Sequence, residues 1–245
     1  GMFSRQVYEI TEALTANVRC SEHVIALRIW GSASLPRPKL SPLLKLRARL
    51  IEALPRTHPV FPDRIATLKC QMSFGWDFAP RVRTMGLWDD VYIVVTRSVF
   101  IEEAFVRYEG PVNGDALVKL SLELDADRAQ TVKAVVLVRG KNFEQEEQRF
   151  VFDLSFSEGH QAVEMELAIE NPRLWEPWDR GRPDLYLLEV QLFPADATSP
   201  VLDTLSTTFG LRTVERVLNP NAPAGAEPWT FVLNGRQEFI RGANW

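Results

Sequence analysis

The side chains best suited to chemistry are gathered in Ser73–Tyr92, SFGWDFAPRVRTMGLWDDVY. Trp76 and Trp88, two of the chain's seven tryptophans, stand there with Asp77, Asp89 and Asp90. Pro80 and Gly86 rule out a regular helix, and apolar alternation begins only at Leu87–Val95. The stretch reads as a shaped loop feeding a strand. Aromatic faces beside carboxylates suit a carbohydrate, the rings taking the sugar C–H surfaces and the carboxylates the hydroxyls. The same residues also suit an aromatic core beneath a loop, and composition alone favours that plainer reading.

Other kinds of site are poorly represented. The chain has no GxxxxGKS or GxxxxGKT phosphate loop, no GxGxxG turn, no HExxH and no GxSxG. His23, His58 and His160 are isolated in sequence and read as structural. Cys20 and Cys70 form neither a CxxC pair nor a zinc-ligand spacing. A single disulfide is open to them, but two free thiols in a reducing compartment is the more economical view. No metal site and no cofactor are expected. A glycosidase needs two carboxyl groups about 5–9.5 Å apart, and spacing nominates no such pair. Glu164, Glu166 and Glu189 alternate with apolar residues and read as outward strand faces.

The elements that would position these residues fall into two textures. In the first, Val7–Ile10 and His23–Trp30 read as short strands, and Thr11–Ala16 as a turn or helical turn. Ser41–Leu54 reads as a helix, N-capped by Ser41, with Pro42 at its first position and Pro55 ending it. Leu43, Leu44, Ala48, Ile51 and Leu54 form its apolar stripe. From about Ser98 onward strands recur: Phe100–Tyr108, Ala116–Leu124, Thr131–Arg139, Glu147–Phe156, Ala162–Ile169, Leu185–Phe193 and Leu202–Glu215. Seven short strands in about 118 residues predict an immunoglobulin-like sandwich. Residues 219–228, NPNAPAGAEP, read as a linker. Asn234-Gly235 between two apolar runs then predicts a β-hairpin.

With 245 residues, 46% of them hydrophobic, the chain can build a real core. No apolar run is long enough to span a membrane as a helix. The first residues, GMFSRQVYEI, lack the regions of a signal peptide, which favours the cytoplasm. Net charge is −4, with +6 over residues 1–97 and −10 over residues 98–245. The basic excess sits largely in Arg37–Arg49, where a solvated helix face explains it better than nucleic acid does.

Several motifs agree on a family. The 73–93 stretch resembles the end of the N-terminal sugar-binding domain of glycoside hydrolase family 2, in its β-mannosidase-like branch, where a run like F-G-W-D-W-G-P is followed by G-I-W-R-x-V. NPRLWEPWDRGRPDLYLLEVQL, FGLRTVE and FVLNGRQEFIRGANW resemble further signatures of that family, and GMFSRQVYEITEAL a fifth. The chain departs from the pattern at Phe78-Ala79, Asp89-Asp90, Glu176 and Gln237.

The resemblance implies a mainly β protein with three parts. Residues 1–97 would be a partial, galactose-binding-like jelly roll. Residues 98–216 would be the immunoglobulin-like sandwich, and 217–245 a linker and hairpin leading to a catalytic (β/α)₈ barrel from about Gly242. Such a barrel needs about 250 residues, and the family's Asn-Glu acid/base dipeptide occurs nowhere in this chain. The expectation is a non-catalytic region of a retaining glycosidase acting on β-mannosides or related β-glycosides. It would shape the sugar pocket and support the barrel. The resemblance assigns Asp77, Trp76, Asn244 and Trp245 to sugar contact and no residue to catalysis. It gives Leu174, Trp175 and Tyr186 to the sandwich end or core, and has Phe209 and Arg212 stitch the last strand to the linker, where a buried Arg would need a carboxylate. Its partners would be a β-linked glycoside and the barrel, without nucleic acid or membrane, and exposed sheet edges would allow a homodimer. The competing reading is a free-standing carbohydrate-binding or protein-interaction module.

Overall fold

The computed structural model describes residues 5–16, 22–34, 41–43, 46–47, 50, 67, 69–76, 80, 82, 84–196, 200–219, 221–243. The chain divides into two units, Gly1–Tyr92 and Ile93–Trp245.

In the second unit, alternation becomes structure. β1 (Val99–Val112), β2 (Asp115–Ala126) and β5 (Gly159–Ile169) form one antiparallel sheet, in the order β1-β2-β5. β3 (Gln130–Gly140), β4 (Gln148–Phe156), β6 (Tyr186–Pro194) and β7 (Asp203–Phe209) form another, in the order β4-β3-β6-β7. Ala116, Val118, Leu120, Leu122 and Leu124 of β2 are fully buried, while Lys119, Ser121 and Glu123 take the other face. On the second sheet Val132, Ala134, Val136, Leu188, Val190 and Leu192 are fully buried too, and the two inner faces share one apolar core. Each such Leu or Val contributes about 1.5–3 kcal/mol through burial. A hydrogen bond joins the sheets at one edge, where the Ile101 N–H donates to Asp203 Oδ2 at 2.7 Å.

Turn chemistry sets the register. Asn113-Gly114 joins β1 to β2 with φ of 53° and 97°, the left-handed pair that a two-residue hairpin requires. Asn234-Gly235 does the same, at 48° and 77°, between β9 (Trp229–Leu233) and β10 (Arg236–Glu238). The predicted seventh strand is interrupted. It becomes β7 and β8 (Val214–Leu218), because the chain at Leu211 leaves the sheet to bridge Leu174. Gly210 permits this approach, since a Cβ there would lie 3.0 Å from Trp175 Cβ. The expected linker at 219–228 is a loop between paired strands, β8 against β9, with the Asn219 N–H on the Pro228 carbonyl at 2.7 Å.

The first unit departs further from the sequence expectation. Thr11–Thr15 is one helical turn (α1), its Thr15 hydroxyl donating to the Thr11 carbonyl at 2.8 Å. Hydrogen bonds from Thr11 hold the Glu9 carboxyl below its ordinary range. Residues 7–10 and 23–30 are not strands: the backbone there is irregular, and Val7, Tyr8, Val24, Leu27 and Trp30 are exposed. An alternating segment is stable as a strand only when a neighbour takes up its backbone groups, and no sheet forms among the described residues of this unit. Of the expected helix, residues 42, 43, 46, 47 and 50 are helical, but Leu43, expected on a buried stripe, is exposed. Its Leu44, Ala48, Ile51 and Leu54 lie outside the described residues. No helix among the described residues is long and apolar enough to cross a membrane.

Candidate functional site

Of the four residues assigned to sugar contact, the described structure contains Trp76. Asp77, Asn244 and Trp245 lie outside the described residues. Trp76 follows a 3₁₀ turn at Gln71–Phe74, where Phe74 is buried and Gly75 adopts φ 115°. Lys69 sits over the Phe74 ring at 5.3 Å and also donates to the Thr84 hydroxyl at 2.6 Å, fifteen residues on, tying the turn to that segment. Trp76 is 52% exposed and Trp88 68%, so neither serves as the aromatic core that composition favours. The Tyr92 hydroxyl donates to Asp90 Oδ2 at 2.7 Å, and this bond to a carboxylate raises the phenol's pKa. Cys70 is a free, half-buried thiol, and Cys20 lies outside the described residues.

The second unit assembles three of the motif stretches into one joint. Tyr186, fully buried, stacks on Phe209 at 5.2 Å and meets the edge of Phe143 at 5.0 Å. Its hydroxyl accepts the Arg173 N–H at 2.7 Å. Burial raises its pKa, only partly offset by the Arg173 hydrogen bond. Outward from Tyr186, the Trp175 N–H donates to the Leu211 carbonyl at 2.8 Å. Arg212 stacks on the Trp175 ring at 4.9 Å. One sequence expectation is corrected here: Arg212 is exposed and its partner is an indole, so it needs no carboxylate. Leu174, expected at the sandwich end or core, is exposed and bridges Leu211. Trp175 is half-buried and Tyr186 is core.

Asn234 holds the hairpin to this joint. Its side-chain amide donates to the Trp175 carbonyl at 2.9 Å and to Glu176 Oε1 at 3.0 Å. Its Oδ1 accepts the Thr213 N–H at 3.0 Å, and its own N–H donates to the Thr213 carbonyl at 3.0 Å. The sequence marks Asn234 as a turn residue; only the fold shows that it also clamps the loop 171–185. Arg180 reaches the Gln237 carbonyl at 3.1 Å and Glu238 at 3.0 Å, and Arg241 pairs with Asp179 at 2.8 Å. Asp184, only 6% exposed, lies between Arg182 at 3.6 Å and Arg173 at 3.8 Å.

The acids of the joint are thus neutralised or hydrogen-bonded in place. This is the arrangement of a structural latch, where catalysis would need two carboxyl groups facing a cleft. Beside it, Lys141, Asn142, Phe143, Glu144, Arg173 and Arg182 line an open recess of about 530 Å³. Elsewhere, one group of possible metal ligands comes together among the described residues: Glu102, Glu123 and His160. The sequence reading missed it because the three are neighbours only across a sheet.

Residues 99–212 match Glycosyl hydrolases family 2. Among curated proteins, the chain is 26% identical over 186 residues to the beta-mannosidase B of Thermothelomyces thermophilus, covering 75% of this chain and 20% of that protein. It is 27% identical over 213 residues to the beta-mannosidase B of Aspergillus terreus, covering 82% and 23%. Among solved structures, the beta-D-mannosidase of Dictyoglomus thermophilum superposes with a TM-score of 0.64 at 28% identity, over 82% of this chain and 24% of that one. The chain spans about a fifth of the length of the curated relatives it matches.

Proposed function

Since the chain belongs to glycosyl hydrolases family 2 through residues 99–212, we propose that it is a non-catalytic region of a β-mannoside-hydrolysing enzyme. In that role it shapes the sugar pocket and supports a catalytic barrel. The observation that carries this reading is the alignment of most of the chain with about a quarter of a beta-D-mannosidase. The joint supports it. The hairpin at 229–238 is held to the sandwich by side-chain contacts at several points, so whatever follows it in an enzyme starts from a defined direction. Trp178 is 86% exposed, and Phe239 and Ile240 are exposed beside the latch formed by Arg180 and Arg241. Apolar side chains of this size in one region suit a surface that another domain covers.

The residues proposed to meet the sugar are Asp77, Trp76, Asn244 and Trp245. The carboxylate and amide would bond sugar hydroxyls, and the indoles would pack on its C–H faces. The exposed indole of Trp76 is consistent with that role. The substrate class follows the relatives' names and is a β-mannoside. Incubation of the purified 245-residue chain with an aryl β-mannoside tests the non-catalytic half of the proposal. Release of the aryl group should stay at the buffer rate; saturable turnover that purifies with the chain would overturn it.

A further inference from the structure

β2 is the central strand of its sheet, flanked by β1 and β5. On the outer face of this sheet, Glu123 lies opposite Glu103 of β1 and Ala162 of β5, and His160 lies opposite Asp125. β1 carries a bulge here. Ile101 pairs with Leu124 and Glu103 with Glu123, so Glu102 is an extra residue with no opposite number. A bulge re-aims the side chain it carries, and Glu102 points to the solvent face beside Glu103. Its carboxylate comes within 3.3 Å of His160 Nδ1, on the far side of β2. One ligand atom each from Glu102, Glu123 and His160 lies within 4.8 Å of the others.

The electrostatics of this patch are unusual for the sheet. Carboxylates on adjacent strands repel one another. Glu166, on the same sheet, is paired with Lys119 at 3.6 Å, and the Ser121 hydroxyl donates to Glu164 at 3.3 Å. Among the described residues, no Lys or Arg pairs with Glu102 or Glu123; the imidazole is the group that meets them. We propose that Glu102, Glu123 and His160 form a binding site for a divalent first-row transition cation of the zinc type. One imidazole nitrogen and one oxygen from each carboxylate supply three ligands, and water completes a tetrahedral shell. The nitrogen donor and the small number of ligands favour zinc-like ions over calcium and magnesium, which take six or more oxygens. All three side chains are exposed, so modest rotations can draw the donors to metal-ligand distance. The bound ion cross-links β1, β2 and β5 and cancels the repulsion between the two carboxylates.

Calorimetric titration of the whole chain with zinc chloride tests the site, with magnesium chloride as the control. One saturable zinc site is expected, with no magnesium heat. His160→Gln and Glu123→Gln should each raise the zinc dissociation constant about 10-fold or more, whereas Glu164→Gln should leave it unchanged. Zinc should also raise the melting temperature of the unsubstituted chain and not that of His160→Gln. The proposal is overturned if zinc does not bind, if magnesium binds equally, or if His160→Gln keeps the full affinity. In that last case the ion sits elsewhere, His23 and His58 being the other histidines.

Discussion

Residues 24–30, VIALRIW, and residues 118–124, VKLSLEL, are both seven-residue apolar-rich stretches with strand character. In the sandwich, Val118, Leu120, Leu122 and Leu124 are fully buried, and β2 is hydrogen-bonded on both sides. In the first unit, Val24, Ile25, Leu27, Ile29 and Trp30 are exposed, and the backbone is irregular. The contrast teaches that apolar alternation describes what a strand would do with a partner, not whether the partner is there. The sandwich has β1 and β5 to close around β2. The first unit has no such ladder among its described residues.

The largest expected effect tests this contrast directly. Leu120→Ala removes a fully buried side chain and should cost about 2–5 kcal/mol in urea unfolding of the sandwich. Leu27→Ala, at an exposed position, should change stability by less than about 0.5 kcal/mol. Equal losses would show that residues 24–30 are packed after all.

A smaller effect is expected at the joint. Asn234→Gly keeps the left-handed turn but loses the bonds to Trp175, Glu176 and Thr213. The expected cost is about 1–3 kcal/mol, with faster amide exchange in 229–238 and little change in β2. If exchange rises equally in both places, the hairpin and the sandwich unfold as one.

Tyr186→Phe comes next, at about 1 kcal/mol near neutral pH. Its pH signature is more specific. Burial holds the Tyr186 pKa above its ordinary value near 10. The stability tied to the neutral phenol is therefore complete below the unfolded value and is lost as pH rises through the folded one. Urea midpoints should fall less steeply above about pH 10 in the Phe variant than in the parent chain. The smallest effect lies in the first unit. Asp90→Asn should lower the Tyr92 pKa, seen as an earlier phenolate absorbance in an alkaline titration, without a change in melting temperature.

Much of the sandwich was legible, because period-two burial and Asn-Gly turns are local signals. The first unit's strands were misread because pairing is not local. Other features were hidden for the same reason. The break between β7 and β8 depends on Gly210 meeting Trp175, thirty-five residues earlier. Glu102 is re-aimed by a bulge that exists only in the pairing of β1 with β2. His160 looked isolated because its neighbours are reached across strands. Arg212 was expected to need a buried acid, but a ring at the end of a distant loop takes its place. Asn234 was readable as a turn, and its clamp on Trp175 and Glu176 was not.

On the function proposed above, this chain supplies the scaffold and a sugar-contacting wall, and another domain supplies catalysis. The most direct test is to replace the matching quarter of the Dictyoglomus thermophilum beta-D-mannosidase with these 245 residues and measure kcat/KM on an aryl β-mannoside. A folded, active chimera is expected, and Asp77→Ala should cost it roughly 100-fold in kcat/KM. A folded chimera without activity, or one indifferent to Asp77→Ala, would contradict the proposed function.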